Sequence, residues 1–442
     1  MAGDGRIVSL RRWTGSRPAR GRLLLTCGIL AAAALCSPPT RAADAVTEWT
    51  LEADRLGGGG ANWYTLAVMH MAMHDAAQAV EGRFARWSAD PPVPVPPGTS
   101  LPAALAGAAA QVLVELHPDS GDEINQLFQS ALARLPWEGV TAGLAVGEAI
   151  GHATLEHRAA DGFDRVRPFR GADEPGRWRP APPGYATSNT TDVVPFLFAA
   201  RTWPGERPPP PPGSPVLARD TAEIRMLGGT GTTGRTPAQT EAAEYWAYQS
   251  GQRGFVLAAV RELDADGSSD LASHARLMSL MTAAMADAAV LTWAEKEQYG
   301  SWRPITVIQG GVPGTAPDPD WWPVIETPPH PEYPSGHASD CFTGAGMLAA
   351  LFRVSGPFTY VAQSALPAGK TAVIGMGQHA QPGGLREVER RFPSVDGAAV
   401  ECADSRIWAG AHFRSANEES HRLADAIVVK ARTALPPLAE GR

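Results

Sequence analysis

Apolar residues recur at three- and four-residue steps through long alanine-rich segments, the period that lines one face of an α-helix. The pattern predicts helices over residues 63–80, 101–116, 122–135, 142–158, 236–248, 269–300, 338–352 and 414–434. A stretch rich in Pro, Gly and Arg, 161–213, separates the first four from the last four and reads as loop, its five consecutive prolines, 208–212, forming a stiff connector. The expectation is an all-α chain with long loops, an N-terminal helical bundle and connector over 43–215 and a C-terminal bundle over 216–442. A short internal echo supports a paired arrangement: Ala72-Met-His-Asp-Ala-Ala77 returns as Ala284-Met-Ala-Asp-Ala-Ala289.

The most apolar segment, 277–293, carries Asp287 and reads as a buried helix; no segment after the leader gives a clean membrane span. The N-terminus itself has the form of a secretory signal. Arg11, Arg12, Arg17, Arg20 and Arg22 precede an apolar core, 23–35, and a small-residue exit at Thr40-Arg41-Ala42. Residues 1–42 are therefore expected to be cleaved and the protein to be exported, periplasmic or secreted. Cys341 and Cys402 then remain, an even pair that is a disulfide candidate in an oxidising compartment. With 38 Lys and Arg against 46 Asp and Glu, a net charge of −8 argues against nucleic acid or an anionic membrane as partner. Oligomeric state stays open.

Three segments carry the chemistry. Lys296 is followed seven residues on by Arg303-Pro304, then come Pro334-Ser335-Gly336-His337, and last Ser405-Arg406 with His412 six residues beyond the arginine. A buried tetrahedral oxyanion needs charged donors in place of water. Arg303 and Arg406 offer planar forks, Lys296 a point charge, and Ser335 with the Gly336 amide a cradle at a helix start. One of the two histidines, His412 or His337, would attack or ligate the central atom and the other would move a proton on the opposite side. The spacings Lys296–Arg303 and Arg406–His412, close to two helical turns, would place each pair on one helix face. His70 and His74 lie four apart on an apolar helix, but no third ligand follows at zinc-like spacing, so they read as packing residues.

These three segments match the signature of the superfamily of type 2 phosphatidic acid phosphatases and vanadium-dependent haloperoxidases, which the chain resembles. The haloperoxidase branch is the nearer, through Trp293-Ala-Glu-Lys296, Ser301-Trp302-Arg303-Pro304, the run 328–337 and, upstream, Arg235-Thr-Pro-Ala-Gln239 leading to Tyr245-Trp246-Ala-Tyr248. The resemblance implies paired four-helix bundles of the vanadium chloroperoxidase and acid phosphatase type, with vanadate as cofactor. It implies that His412 bonds vanadium, that Lys296, Arg303, Ser335, Gly336 and Arg406 hold the oxygens, and that His337 is the acid–base residue. Hydrogen peroxide, a halide and a small organic acceptor would be the substrates. Trp293 and His330 fall where the family tunes halide choice. His330 is expected to be titratable and hydrated, favouring bromide and iodide over chloride.

Two positions depart from the pattern. Where the phosphatase signature has an acid four residues after its last histidine, this chain has Ala416, leaving Asn417 or a carbonyl to orient His412. Where haloperoxidases place an acid to pair with the last arginine, it has Gln249. Two alternatives accompany the haloperoxidase reading: an exported acid phosphatase that hydrolyses phosphomonoesters through a phosphohistidine at His412 without a metal, and a non-catalytic oxyanion-binding protein.

Overall fold

The computed structural model describes residues 44–57, 62–88, 91–180, 187–231, 234–247, 251–268, 270–313, 315–364 and 386–438, of which 44–438 belong to one compact unit. The proposed signal segment and Gln249 lie outside the described residues. Thirteen α-helices are described: α1 Ala45–Leu56, α2 Trp63–Glu81, α3 Leu101–Leu116, α4 Gly121–Ala133, α5 Val140–Arg158, α6 Pro215–Leu227, α7 Pro237–Ala247, α8 Gly251–Asp266, α9 Leu271–Tyr299, α10 Pro304–Gly310, α11 Gly336–Leu351, α12 Val395–Trp408 and α13 Arg414–Thr433. The chain is all-α in class. Besides the helices there are a two-residue pairing of β1 (Arg167–Pro168) with β2 (Thr187–Ser188) and an antiparallel hairpin of β3 (Phe358–Ser364) and β4 (Arg386–Phe392).

All eight helices expected from the periodicity are present, with ends shifted by at most two or three residues. Five more, α1, α6, α8, α10 and α12, were not expected, nor was the hairpin. Local capping starts several of them: Asp44 accepts from the Val46 amide, Ser100 from Ala103, Ser214 from Leu217, Asp270 from Ser273 and Ser394 from Gly397.

The 29-residue α9 is the central element, the one described helix long and apolar enough to cross a membrane, yet buried along most of its length. It packs on α2 and, elsewhere on its surface, on α11 and α13. Helix α2 continues onto α3 and α5, where Ala104 and Gly107 face Gly143 and Gly147 so closely that a Cβ on Gly147 would strike the Ala104 carbonyl. Around α11 gather α8, α12 and α13, and the hairpin closes this side over an aromatic group of Trp246, Phe255, Phe358 and Tyr360.

The sequence echo has a structural counterpart on the two packed helices α2 and α9. Asp75 accepts from the amides of Trp87 at 2.8 Å and Ser88 at 2.9 Å, one carboxylate oxygen to each. Asp287 does the same for Phe196 at 2.6 Å and Leu197 at 2.7 Å. Each buried acid thus fastens a loop to the apolar helix that carries it by pairing with two of the loop's amides. His70 and His74 are packing groups as expected. Their Nε2 atoms meet Thr50 Oγ1 at 3.0 Å and the Ala85 carbonyl at 2.8 Å, and burial lowers their pKa values to about 3 and about 4.

Candidate oxyanion site

Helix ends deliver the signature residues. Lys296 lies in the last turn of α9, which Gly300 terminates in the left-handed conformation at φ 52°, its amide returning to the Lys296 carbonyl at 3.0 Å. The reversal makes Arg303 the N-cap of α10, so Lys296 and Arg303 belong to different helices and do not share a face. A similar correction applies to the last segment. Helix α12 ends at Trp408, and the amides of Ala411 and His412 both fold back onto the Arg406 carbonyl, at 2.9 and 3.2 Å. The spacing from Arg406 to His412 therefore works through a hydrogen-bonded turn. The expected helix start at Pro334-Ser335-Gly336-His337 is present: Ser335 is the N-cap of α11 and Gly336 its first residue. A side chain at Gly336 would meet the Trp293 ring at 3.1 Å.

His412 stands between Arg303 and Glu332, whose carboxyl burial pushes up to about 7 against the pull of Arg303 and Lys296. Its Nε2 accepts from Arg303 Nη1 at 3.2 Å, and its Nδ1 lies 3.0 Å from Glu332 Oε1. An arginine can only donate, so Nε2 carries a lone pair and the proton sits on Nδ1, donated to the carboxylate. Glu332 Oε1 also accepts the Phe413 amide at 2.9 Å. Burial holds the imidazole far below its usual pKa, with the charges of Arg303 and Lys296 adding to the effect, so it is neutral. The position expected to carry an orienting acid, Ala416, instead gives its carbonyl to the Ser335 amide at 3.3 Å. Asn417 does not replace the acid either: its Nδ2 donates to the Ala403 carbonyl at 2.6 Å. Glu332 is the residue that sequence reasoning passed over, although it stands within the quoted run 328–337.

The cations are arranged unequally. Lys296 Nζ donates to the carbonyls of Pro331 at 3.1 Å, Glu332 at 2.9 Å and Pro334, so it clamps the loop leading to Ser335. Arg303 donates to the His330 and Ala411 carbonyls and to two imidazoles. Arg406 is 1% exposed, and its Nε and Nη1 find no partner among the described residues. Burial lowers its pKa to about 10, and that of Arg303 to about 9. Burial, then repulsion by Arg303, holds Lys296 well below the ordinary lysine range.

Ser335 adds a second kind of open donor. Its Oγ is buried, has no partner among the described residues, and makes no capping bond to its own helix. An N-cap serine ordinarily closes the first turn. Here the hydroxyl stays available at the positive end of α11. Unpaired donors on a buried arginine and a buried serine suit the oxygens of a tetrahedral oxyanion. His337 follows on the first turn of α11, partly exposed.

The wall differs from expectation at one residue. His330 is 4% exposed and lies 5.2 Å from the Trp293 ring and 6.4 Å from Phe169. Its Nδ1 accepts from Arg303 Nη2 at 3.0 Å, and burial together with the charge of Arg303 keeps it neutral. It is a dry imidazole, where a hydrated, titrating one was expected. Trp293 also lies 5.7 Å from Lys296 Nζ. Arg235, of the upstream resemblance, reaches the Trp408 and Gly229 carbonyls and so supports the end of α12. Cys341 and Cys402 are bonded, tying α11 to α12 beside the site.

Comparison with known proteins agrees with this picture. Residues 276–435 match the family described as VCPO second helical-bundle domain. The vanadium chloroperoxidase of Curvularia inaequalis is 32% identical over an alignment of 169 residues that covers 30% of this chain and 27% of that protein, so the match spans about a quarter of the relative. Among solved structures, a bacterial vanadium-dependent iodoperoxidase superposes with a TM-score of 0.69 at 20% identity, covering 90% of this chain and 97% of the other. A holo-type bacterial vanadium-dependent chloroperoxidase gives 0.63 at 18% identity, over 87% and 91%. Residues 276–435, which contain all three signature segments, thus match the second helical bundle of that family, and the chain has the fold of the solved vanadium-dependent haloperoxidases.

Proposed function

We propose that the protein is an exported vanadium-dependent haloperoxidase that uses hydrogen peroxide to oxidise bromide or iodide, the oxidised halide passing to a small organic acceptor. The carrying observation is that the Arg406 guanidinium and the Ser335 hydroxyl are buried with donors unpaired among the described residues, and that the charge of Arg406 is felt at the neutral His412 imidazole. The disulfide between Cys341 and Cys402 supports export, since such bonds persist in oxidising compartments.

Vanadate, when bound, would supply a Lewis-acid centre at which peroxide becomes an oxidant for halide. The chain does the rest. Arg406, Ser335 and the Gly336 amide hold oxygens, and Arg303 adds charge from beside the ligating imidazole. His412 offers Nε2, while Nδ1–H stays engaged with Glu332. His337, on the first turn of α11, would hold or move a proton at its imidazole. Trp293, His330 and Phe169 form a dry wall that strengthens the electrostatics inside.

The test is elemental analysis for vanadium after loading, beside bromination of a phenol-type dye with peroxide and bromide. Bound vanadium with dye bromination is expected; no activity from mildly acidic to neutral pH overturns the reading.

A second reading has one observation in its favour. The lack of an acid at Ala416 counted against a phosphatase, but Glu332 supplies a carboxylate to His412 by another route. Hydrolysis of an aryl phosphomonoester without vanadate, lost in His412→Ala, would place the phosphatase first. A non-catalytic oxyanion-binding protein would bind vanadate or phosphate with neither activity.

A further inference from the structure

We infer that Glu332 is a positioning residue that fixes the tautomer and ring orientation of His412, taking the place of the carboxylate that Ala416 does not provide. This rests on His412 Nε2 being the atom offered to the oxyanion in the proposed function.

A neutral imidazole has one donor and one acceptor nitrogen, and an isolated ring populates both tautomers. Only the tautomer protonated at Nδ1 leaves Nε2 free to ligate or attack. Glu332 Oε1, an acceptor that also takes the Phe413 amide, lies 3.0 Å from Nδ1 and selects that form. Arg303 Nη1 at 3.2 Å from Nε2 opposes the other tautomer, because two N–H groups would then face each other.

The mount is rigid. The Glu332 amide donates to the Ser301 carbonyl at 2.9 Å, and its carbonyl accepts from Lys296 Nζ at 2.9 Å. Its carboxylate simultaneously takes the Phe413 amide next to His412. A residue 80 positions from His412 is thereby held at main chain and side chain together, and Lys296 acts on His412 through it. Outer partners of this kind commonly change affinity for the bound centre by about 10- to 100-fold when removed.

The experiment uses the full chain, labelled with 15N-histidine and free of vanadate. The ring nitrogens of His412 are assigned by comparison with His412→Gln, and orthovanadate and inorganic phosphate binding are measured by calorimetry. The wild type is expected to show the Nδ1-protonated form. Glu332→Ala should lose that preference and bind orthovanadate roughly 10- to 100-fold more weakly. Glu332→Gln keeps an acceptor oxygen and should retain the tautomer, with binding between the two. A wild type protonated at Nε2, or a Glu332→Ala protein with unchanged tautomer and affinity, overturns the inference. If Glu332→Ala does not fold, by circular dichroism, the wild-type tautomer and Glu332→Gln decide alone. A wild type with the expected tautomer but no halide oxidation removes the peroxidase reading and leaves Glu332 its role. An active wild type with the other tautomer does the reverse.

Discussion

Arg303 and His330 are joined twice: Nη2 donates to the imidazole Nδ1 at 3.0 Å and Nε to the same residue's carbonyl at 2.9 Å. A residue placed by resemblance in the halide wall is therefore also the seat of a signature arginine. Replacing it alters two things at once, and the predicted effects separate them.

For His330→Phe, Arg303 Nη2 loses its acceptor inside the protein. The cost of a buried charged donor left unpaired is expected to be about 1–3 kcal/mol, read by urea unfolding. The wall becomes wholly apolar, and the ratio of chloride to bromide kcat/KM should rise. An unchanged ratio with reduced stability would leave His330 as the support of Arg303 and nothing more.

Arg406 should behave in the opposite sense. No carboxylate pairs with it among the described residues, and burial alone depresses its pKa, so its charge destabilises the ligand-free fold. Arg406→Met is expected to raise ligand-free stability by about 1–4 kcal/mol. The same change should weaken phosphate and vanadate binding by more than about tenfold and abolish the stabilisation that added phosphate gives the wild type. Unfolding curves with and without phosphate check both halves.

The bond from Cys341 to Cys402 closes a 61-residue separation. Its removal by Cys341→Ser with Cys402→Ser is expected to cost about 4 kcal/mol. The paired helices α11 and α12 carry the Ser335 end and Arg406, so oxyanion affinity should fall with the stability. Thermal unfolding and phosphate titration of the double variant provide the measurement.

Asp287 governs a pH effect. Burial raises its carboxyl to about 7, with the Phe196 and Leu197 amides pulling the other way. The folded protein therefore binds this proton more tightly than the unfolded chain. Its contribution is complete below about pH 4 and is lost as pH rises through about 7, by up to about 1.4 kcal/mol per pH unit. Measured against Asp287→Asn, wild-type stability should decline across this window and run parallel to the variant above it. A constant difference from pH 4 to 8 would show that Asp287 stays in one ionisation state.

What could be read from the chain alone was what depends on neighbours in sequence. Helical periodicity reports a local repeat, so the eight long alanine-rich helices and the burial of α9 around Asp287 were legible. The signature residues pointed to an oxyanion site because few functions need that donor set in that order, and two remaining cysteines suggested one bridge, which the structure contains. Tertiary structure decided the rest. Helix α12, with Gly397 and several acids in its sequence, is a poor helix by propensity and is held by packing on α7 and α11. The signature spacings looked helical, yet chain reversals at Gly300 and after Trp408 bring the pairs together. Scanning forward from His412 found Ala416 and no acid, because the orienting carboxylate arrives from 80 residues earlier. Such a contact is set by how α9, α11 and α13 pack and by the clamp of Lys296 on the 331–334 carbonyls, a long-range arrangement that no local period encodes.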